Sequence, residues 1–129
     1  MREFTHLFAN VYSSMANLRL RDQLRPYGEC DWQPPVDIFE KEDAIVVVVE
    51  LPGVTKDDID ARVDQGVLLI TGEREKDVPA GARHVHQLEI PSGRFVRALP
   101  LPDDVDADQI EAAYESGYLV FTLPKKRTT

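Results

Sequence analysis

Two histidines in the second half of this 129-residue chain have a spacing at which side chains can act together. His84 and His86 alternate along a segment with strand character, so both imidazoles lie on one predicted face. Such a pair could share a metal ion or take up protons together near neutral pH. Because the third histidine, His6, is far away in sequence, a solvated pair or an interface pair is the favoured interpretation.

Four aspartates close together suggest a second chemistry, calcium binding. They lie in the stretch "LPDDVDAD" and are Asp103, Asp104, Asp106 and Asp108. A calcium loop also has a central glycine and a terminal glutamate, and this stretch has neither. We therefore interpret it as a solvated turn.

The sequence carries no catalytic signature. It has no spacing typical of a Ser, His and Asp triad or of paired catalytic acids. It also lacks the Gly-x-x-x-x-Gly-Lys loop that cradles nucleotide phosphates and the Cys/His spacing of a structural zinc site. We expect no enzyme activity, no catalytic residue and no bound cofactor or metal.

Composition and charge predict the compartment and exclude some partners. The single cysteine, Cys30, cannot form an internal disulfide, and a reduced thiol is favoured over a reactive or chain-linking one. The chain has no apolar run of signal-peptide length at its amino end, nor the about 18 apolar residues of a membrane span. Its 23 acidic and 15 basic residues give a formal charge of −8, and the basic residues form no patch for a phosphate backbone. We expect a cytoplasmic protein without a membrane span or a nucleic-acid partner.

The chain divides into an arm, one domain and a short tail. Residues 5–25 have apolar side chains near a helical repeat, with Thr5 as N-cap, which predicts an amphipathic helix. The prolines of "DWQPPVD" forbid helix and mark a linker. We predict a helical arm and linker over 1–33, a domain over 34–124 and a basic tail over 125–129. The apolar arm residues are Phe8, Val11, Tyr12, Met15, Leu18 and Leu20.

The domain has the pattern of an antiparallel β-sandwich. Short extended runs alternate with turn residues at intervals of about 8 to 12. The eight candidate strands are "VDIFE", "AIVVVVEL", "DIDARV", "VLLITGER", "RHVHQLEI", "RFVRALPL", "DQIEAAYE" and "YLVFTL". In "IVVVVEL" both faces are apolar, so this strand is predicted to lie deep within the sandwich or to be covered on both sides. The predicted fold class is all-β.

Four sequence elements, in this order, resemble the small heat-shock proteins, the family built on the α-crystallin domain. They are "VELPGV", "ITGERE", "SGRFVRALPLPDDVD" and "IEAAYESGYLVFTLPKK", and the likeness covers about residues 34–126. The family element G-x-F-x-R-x-aliphatic-x-L-P falls on Gly93, Phe95, Arg97, Leu99, Leu101 and Pro102. The closing element A-x-x-x-x-G-x-L-x-x-x-L-P-K falls on Ala112, Gly117, Leu119, Leu123, Pro124 and Lys125.

This resemblance implies an immunoglobulin-like sandwich and an ATP-independent holdase that binds partly unfolded client proteins and prevents their aggregation. A surface that binds unfolded chains and not native ones removes the aggregating species by mass action. The alternative is an adaptor or co-chaperone module that docks on one specific partner. Such modules generally lack the long exchanged strand and the Gly-Phe-x-Arg element.

The resemblance also implies self-association. In bacterial and plant members the long segment before "SGRF" carries a strand that pairs with the neighbouring subunit, so we predict a strand-exchanged dimer with residues 83–90 as the exchanged piece. Protonation of its histidines would then loosen the dimer at mild acid. The dimer-strand residues are Arg83, His84, Val85, His86, Gln87 and Leu88.

Family members present an apolar groove at the sandwich edge that binds clients or a neighbour's tail. For each groove residue, ordinary inward packing is the alternative. The sequence shows no Ile-x-Ile or Ile-x-Val after "LPKK", so either the natural tail is absent or the chain was cut, and neither case predicts the usual large oligomer. Leu18-Arg19-Leu20 in the arm has the same aliphatic-x-aliphatic form and is a candidate substitute. By position, the groove residues are Ile59, Ala61, Val63, Ile110, Ala112 and Tyr114.

Two further roles follow from the resemblance. Arg97 lies in an apolar strand, where an arginine is costly unless it has a partner, and the family position implies a structural role in the dimer or sandwich. The arm residues either pack on the chain's own sandwich or form an adaptable surface for assembly and clients, since Met and aromatic side chains suit such surfaces.

Overall fold

Two antiparallel sheets form the described part of the protein, residues 30–127 of a computed structural model. The first sheet has the strand order β1-β2-β7-β6 and the second β3-β4-β5. The arm residues from Phe8 to Leu20 lie outside the described residues. The strands are β1 (Val36–Glu40), β2 (Ala44–Glu50), β3 (Ile59–Asp64), β4 (Val67–Arg74), β5 (Gly93–Pro100), β6 (Glu111–Glu115) and β7 (Tyr118–Pro124).

The predicted all-β sandwich is confirmed, and seven of the eight candidate strands form. The eighth, residues 83–90, forms no strand within the single chain, where its backbone has no neighbouring strand to pair with. The strand predicted over "DQIEAAYE" starts later than expected, because a 3-10 turn occupies Ala107–Gln109. The Asp106 carboxylate accepts a hydrogen bond from the Asp108 amide at 3.2 Å and caps this turn.

Alternating side chains of the central strands make the core between the sheets. Ile45, Val47 and Val49 of β2 are fully buried there, and the large rings are Phe95 and Phe121. The other valines of β2 are half-buried on the opposite face, and β2 lies between β1 and β7. The valine run is therefore tolerated because it is an interior strand with no free edge.

One glycine is required by close packing in this core. A Cβ at Gly72 in β4 would meet the Phe95 ring and the Asp58 carbonyl oxygen. The missing side chain lets the Phe95 ring lie directly over the β4 backbone.

The linker before β1 is bound to the edge of β5. The Asp31 and Trp32 amides both donate to the Arg94 carbonyl, at 2.8 and 3.3 Å, and the Arg94 amide donates to the Asp31 carboxylate at 2.8 Å. The Trp32 indole N–H donates to the Gly93 carbonyl at 3.1 Å, and its ring packs edge-on against Phe95 with centroids 5.4 Å apart. The start of the β5 edge is thus paired by the chain's own linker.

A mostly buried ion pair closes the opposite end of the first sheet. Lys125, just after β7, donates to the Glu40 carboxylate at the end of β1 over 2.6 Å. This contact ties the beginning of the tail to the sandwich.

Replacing a buried and an exposed phenylalanine by alanine compares the contribution of core packing to stability with that of a surface side chain. We expect Phe95→Ala to lower the free energy of unfolding by about 3–5 kcal/mol, because it leaves a cavity between the sheets. The control is Phe39→Ala on β1, which is 55% exposed and is expected to cost less than about 1 kcal/mol. Urea denaturation followed by tryptophan fluorescence measures both, and equal losses would contradict this assignment of the core.

Candidate functional site

An apolar groove opens where the edge strands of the two sheets face each other. β3 pairs only with β4, and β6 only with β7, in the described sheets. Two adjoining cavities of about 170 and 440 Å³ lie between these edges and share Ala61, Ala112 and Phe121. The structure places all the groove residues of the sequence analysis along them, namely Ile59, Ala61, Val63, Ile110, Ala112 and Tyr114.

Small side chains at the centre of the walls make the groove deep. Ala61 on β3 and Ala112 on β6 are exposed and too short to cover the space between the strands. The floor below them is Phe121, which is only 2% exposed and belongs to the main core. An aliphatic side chain entering here would therefore contact the core itself and lose most of its water contact.

The ends of the groove are walled by larger side chains. Ile59 and Tyr114 line one cavity, and Val63 and Ile110 line the other. All four are partly buried and pack against the core, so they are shared between core and groove. These residues therefore contribute to the core and line the cavities, and a binding role for them stays a prediction.

Tyr114 is held in place by its hydroxyl group. The oxygen lies 2.6 Å from the Leu51 carbonyl oxygen and 2.7 Å from that of Val54. A phenol has one proton, so it donates to one of these carbonyls at a time. The contact fixes the start of the turn after β2 against β6 and leaves the ring as a wall of the groove.

The groove floor was missed by the sequence analysis. Leu68, Leu119 and Phe121 form its apolar floor, and the charged side chains of Lys56, Arg62 and Asp108 also line it. The alternation of Leu119, Phe121 and Leu123 in "YLVFTL" indicates that these side chains point to one face of the strand. Whether they lie next to β3 depends on how the two sheets stack. Strand alternation gives the face of a residue and not its neighbour in the other sheet.

A second apolar surface lies on the connection between β4 and β5. The residues predicted for the dimer strand, 83–88, are all exposed in the single chain. Val85, Leu88 and Ile90 are 68%, 64% and 73% exposed. Across the molecule, β1 pairs with β2 and has no strand on its other side among residues 30–127. The single chain therefore shows an unpaired apolar segment and an open strand edge.

Arg97 lies on the core-facing side of β5, between Phe95 and Leu99 in the alternation. It is partly buried, and its Nη1 donates to the Pro34 carbonyl at 3.2 Å. One partner of this arginine is therefore the linker that leads from the second sheet to the first.

The candidates for other chemistry lie apart from the groove. His84 and His86 are exposed on the β4–β5 connection, and Cys30 is an exposed free thiol beside the start of β5. Within residues 30–127, no three His, Cys, Asp or Glu side chains are placed to hold a metal ion. Over the same residues, no helix has the length and apolar character needed to cross a membrane.

The sequence model of the Hsp20/alpha crystallin family matches residues 37–129, which include β1 to β7 apart from the first residue of β1. The chain belongs to this family. Small heat shock protein C4 of Rickettsia felis is 38% identical over 120 residues, covering 93% of this chain and 72% of that protein. Small heat shock protein C2 of the same organism is 37% identical over 93 residues, covering 72% of this chain and 60% of that protein.

The fold likeness to solved family members is equally direct. A small heat-shock protein from Xylella fastidiosa superposes with a TM-score of 0.70 at 37% identity, covering 77% of this chain and 91% of that chain. This chain is shorter than its curated relatives, since it spans 72% of the C4 protein and 60% of the C2 protein.

The Tyr114 contact gives a test of how the groove wall is fixed. We expect Tyr114→Phe to lower the free energy of unfolding by about 1–2 kcal/mol, because the one hydrogen bond that the hydroxyl donates to the partly buried carbonyl groups of Leu51 and Val54 is lost. Tyr118→Phe is the control, since Tyr118 is 47% exposed and should change stability by less than about 0.5 kcal/mol. Chemical denaturation measures both variants, and a neutral Tyr114→Phe would show that the hydroxyl group does not hold the wall.

Proposed function

We propose that this protein is an ATP-independent holdase that binds partly unfolded proteins and keeps them from aggregating. The observation that carries the proposal is the groove between β3 and β6, whose floor, Phe121, is part of the core while its walls remain open. Membership of the small heat-shock family supports the same activity. The proposal includes a cytoplasmic location, no enzyme activity and no cofactor.

The groove suits extended apolar segments. It runs between two strand edges, so a bound strand would find backbone donors and acceptors beside it and apolar cavities for alternate side chains. Native proteins bury such segments, whereas partly unfolded proteins expose them. Binding by mass action then lowers the concentration of the aggregating species without hydrolysis.

Two copies are proposed to pair by strand exchange. The exposed apolar side chains of Val85, Leu88 and Ile90 need a cover, and the free edge of β1 needs a strand. Residues of the 83–90 segment from one subunit, laid on the partner's β1, would satisfy both requirements. The Xylella fastidiosa relative has a distinct high order structure, which is consistent with assembly in this family.

The arm is proposed to act as a second surface for assembly and clients. Its apolar residues, from Phe8 to Leu20, lie outside the described residues, so this part of the proposal rests on the sequence. The chain enters the described domain at Cys30, beside the first residues of β5.

Light scattering of a heat-labile client, warmed without ATP, tests the holdase activity. We expect suppression near equal masses, and we expect Ala112→Glu to require about tenfold more protein, because a charge in the apolar groove opposes binding. Ala80→Glu adds the same charge on the exposed β4–β5 connection and is the control. If the wild-type dimer gives no suppression, the adaptor alternative replaces the holdase; if both variants act alike, the groove is not the client site.

Shortening the β4–β5 connection tests the dimer. Replacing residues 77–89 by a short Gly-containing turn should leave a folded monomer of about half the wild-type mass, because the strand that covers β1 is gone. Native mass spectrometry measures the mass and circular dichroism the fold. A variant that keeps the wild-type mass would contradict strand exchange.

A further inference from the structure

The β4–β5 connection is long although its two ends are close together. Arg74 and Gly93 are directly paired across the two strands, so a short hairpin turn would suffice to join them. Instead residues 75–92 intervene, and connections of this length without regular structure are commonly functional. A segment of this length needs contacts at its ends to leave the sandwich in a defined direction.

Arg74, the last residue of β4, contacts three separate parts of the chain. Its Nε and Nη2 donate to the Pro91 carbonyl oxygen over 3.0 and 2.6 Å. Its Nη1 donates to the Pro52 carbonyl oxygen over 3.1 Å. Its guanidinium carbon lies 4.0 Å from the centroid of a Trp32 ring, within cation–π range. One side chain thus joins the end of the connection, the turn after β2 and the linker before β1.

A second cation closes the base of the same connection. The Lys76 ammonium donates to the Ile90 carbonyl oxygen over 2.6 Å. Together Arg74 and Lys76 hold the carbonyl groups of Pro91 and Ile90, two and three residues before β5 begins at Gly93. Pro91 has no N–H, so a continuous backbone ladder cannot make this closure, and the cationic side chains take its place.

We propose that Arg74 is the positioning residue of strand exchange, a role that rests on the proposed strand-exchanged dimer. It fixes the root of the donated segment, and through Trp32 it fixes the linker that leads into β1, the strand proposed to accept the partner's segment. In a two-fold dimer each subunit donates its own segment to the partner's β1 and accepts the partner's segment on its own β1. A single side chain therefore sets the relative position of the donating and accepting elements within each copy.

This anchoring limits which residues can leave the subunit. The carbonyl groups of Ile90 and Pro91 are held at the root, so the exchanged stretch ends at Glu89, one residue earlier than the 83–90 piece predicted from sequence. Residues 77–82 then form the outgoing lead, which at most about 3.4 Å per residue reaches roughly 20 Å. The partner's β1 must lie within about that distance of Lys76, where the lead begins.

The contacts require an arginine. Its planar fork donates to two carbonyl groups in different directions while its face stacks on an indole, and the ammonium of a lysine is a compact point charge that cannot repeat this geometry. Arg74→Lys keeps the charge and the aliphatic stem but is expected to lose the anchoring.

The test measures the rate of subunit exchange of the full chain. Isotopically light and heavy protein are mixed, and native mass spectrometry follows the appearance of mixed dimers. We expect mixed dimers to form at least about tenfold faster with Arg74→Ala and with Arg74→Lys. Losing hydrogen bonds from a charged group destabilises the anchored segment enough to raise the exchange rate by that factor. Arg127→Ala, which removes an exposed arginine from the tail, is the control and should exchange like the wild type.

The outcomes separate this inference from the dimer on which it rests. Unchanged or slower mixing in folded Arg74 variants overturns the positioning role and leaves strand exchange standing. A wild type that forms no mixed dimers because it is a monomer overturns both. Thermal melting by circular dichroism identifies variants that are folded, and if Arg74→Ala unfolds, Arg74→Lys decides the question.

Discussion

The packing of four strands through one layer of alternating side chains between the two sheets determines the rest of this molecule. β2 and β7 of the first sheet meet β4 and β5 of the second around Phe95 and Phe121. The inward side chains of these strands fill the core, and the open positions described above lie at the strand edges. The linker pairs with the start of the β5 edge, and β3 and β6 flank the apolar groove. In the described residues β1 has no strand on its outer side.

Charged side chains then fix the segments that run around these edges. Arg97 holds the linker at Pro34, and Arg74 holds it at Trp32 while binding the base of the long connection. Lys125 and Glu40 join the end of β7 to the end of β1. Most of these contacts use a cation and a backbone carbonyl group, which suits segments whose carbonyl groups lack a strand partner. The linker at Trp32 and the base of the β4–β5 connection at Pro91 therefore lie close to one another.

The sequence was informative where local pattern and structure coincide. The alternation in "DIDARV" and the valine run placed β3 and β2, and the family elements placed the groove walls on β3 and β6. The 3-10 turn before β6 was missed because it depends on a single capping contact by Asp106. The floor residue Phe121 was missed because it depends on how two sheets stack.

Other features have no local pattern to read. The contacts of Arg74 join residues far apart in the chain, and a cation that binds carbonyl groups leaves no periodic signature. Residues 83–90 have the composition of a strand but form none in the single chain, because a strand requires a neighbour and this neighbour is proposed to be another copy.

Site-specific photo-crosslinking from position 88 tests most directly whether an open edge of one copy is completed by another. A photoreactive residue replaces Leu88 in isotopically light chains, which are mixed with heavy chains, exchanged and irradiated. Strand exchange predicts light–heavy crosslinks that map to Val36–Glu40, the β1 strand of the other copy. Crosslinks confined to the same chain would contradict it.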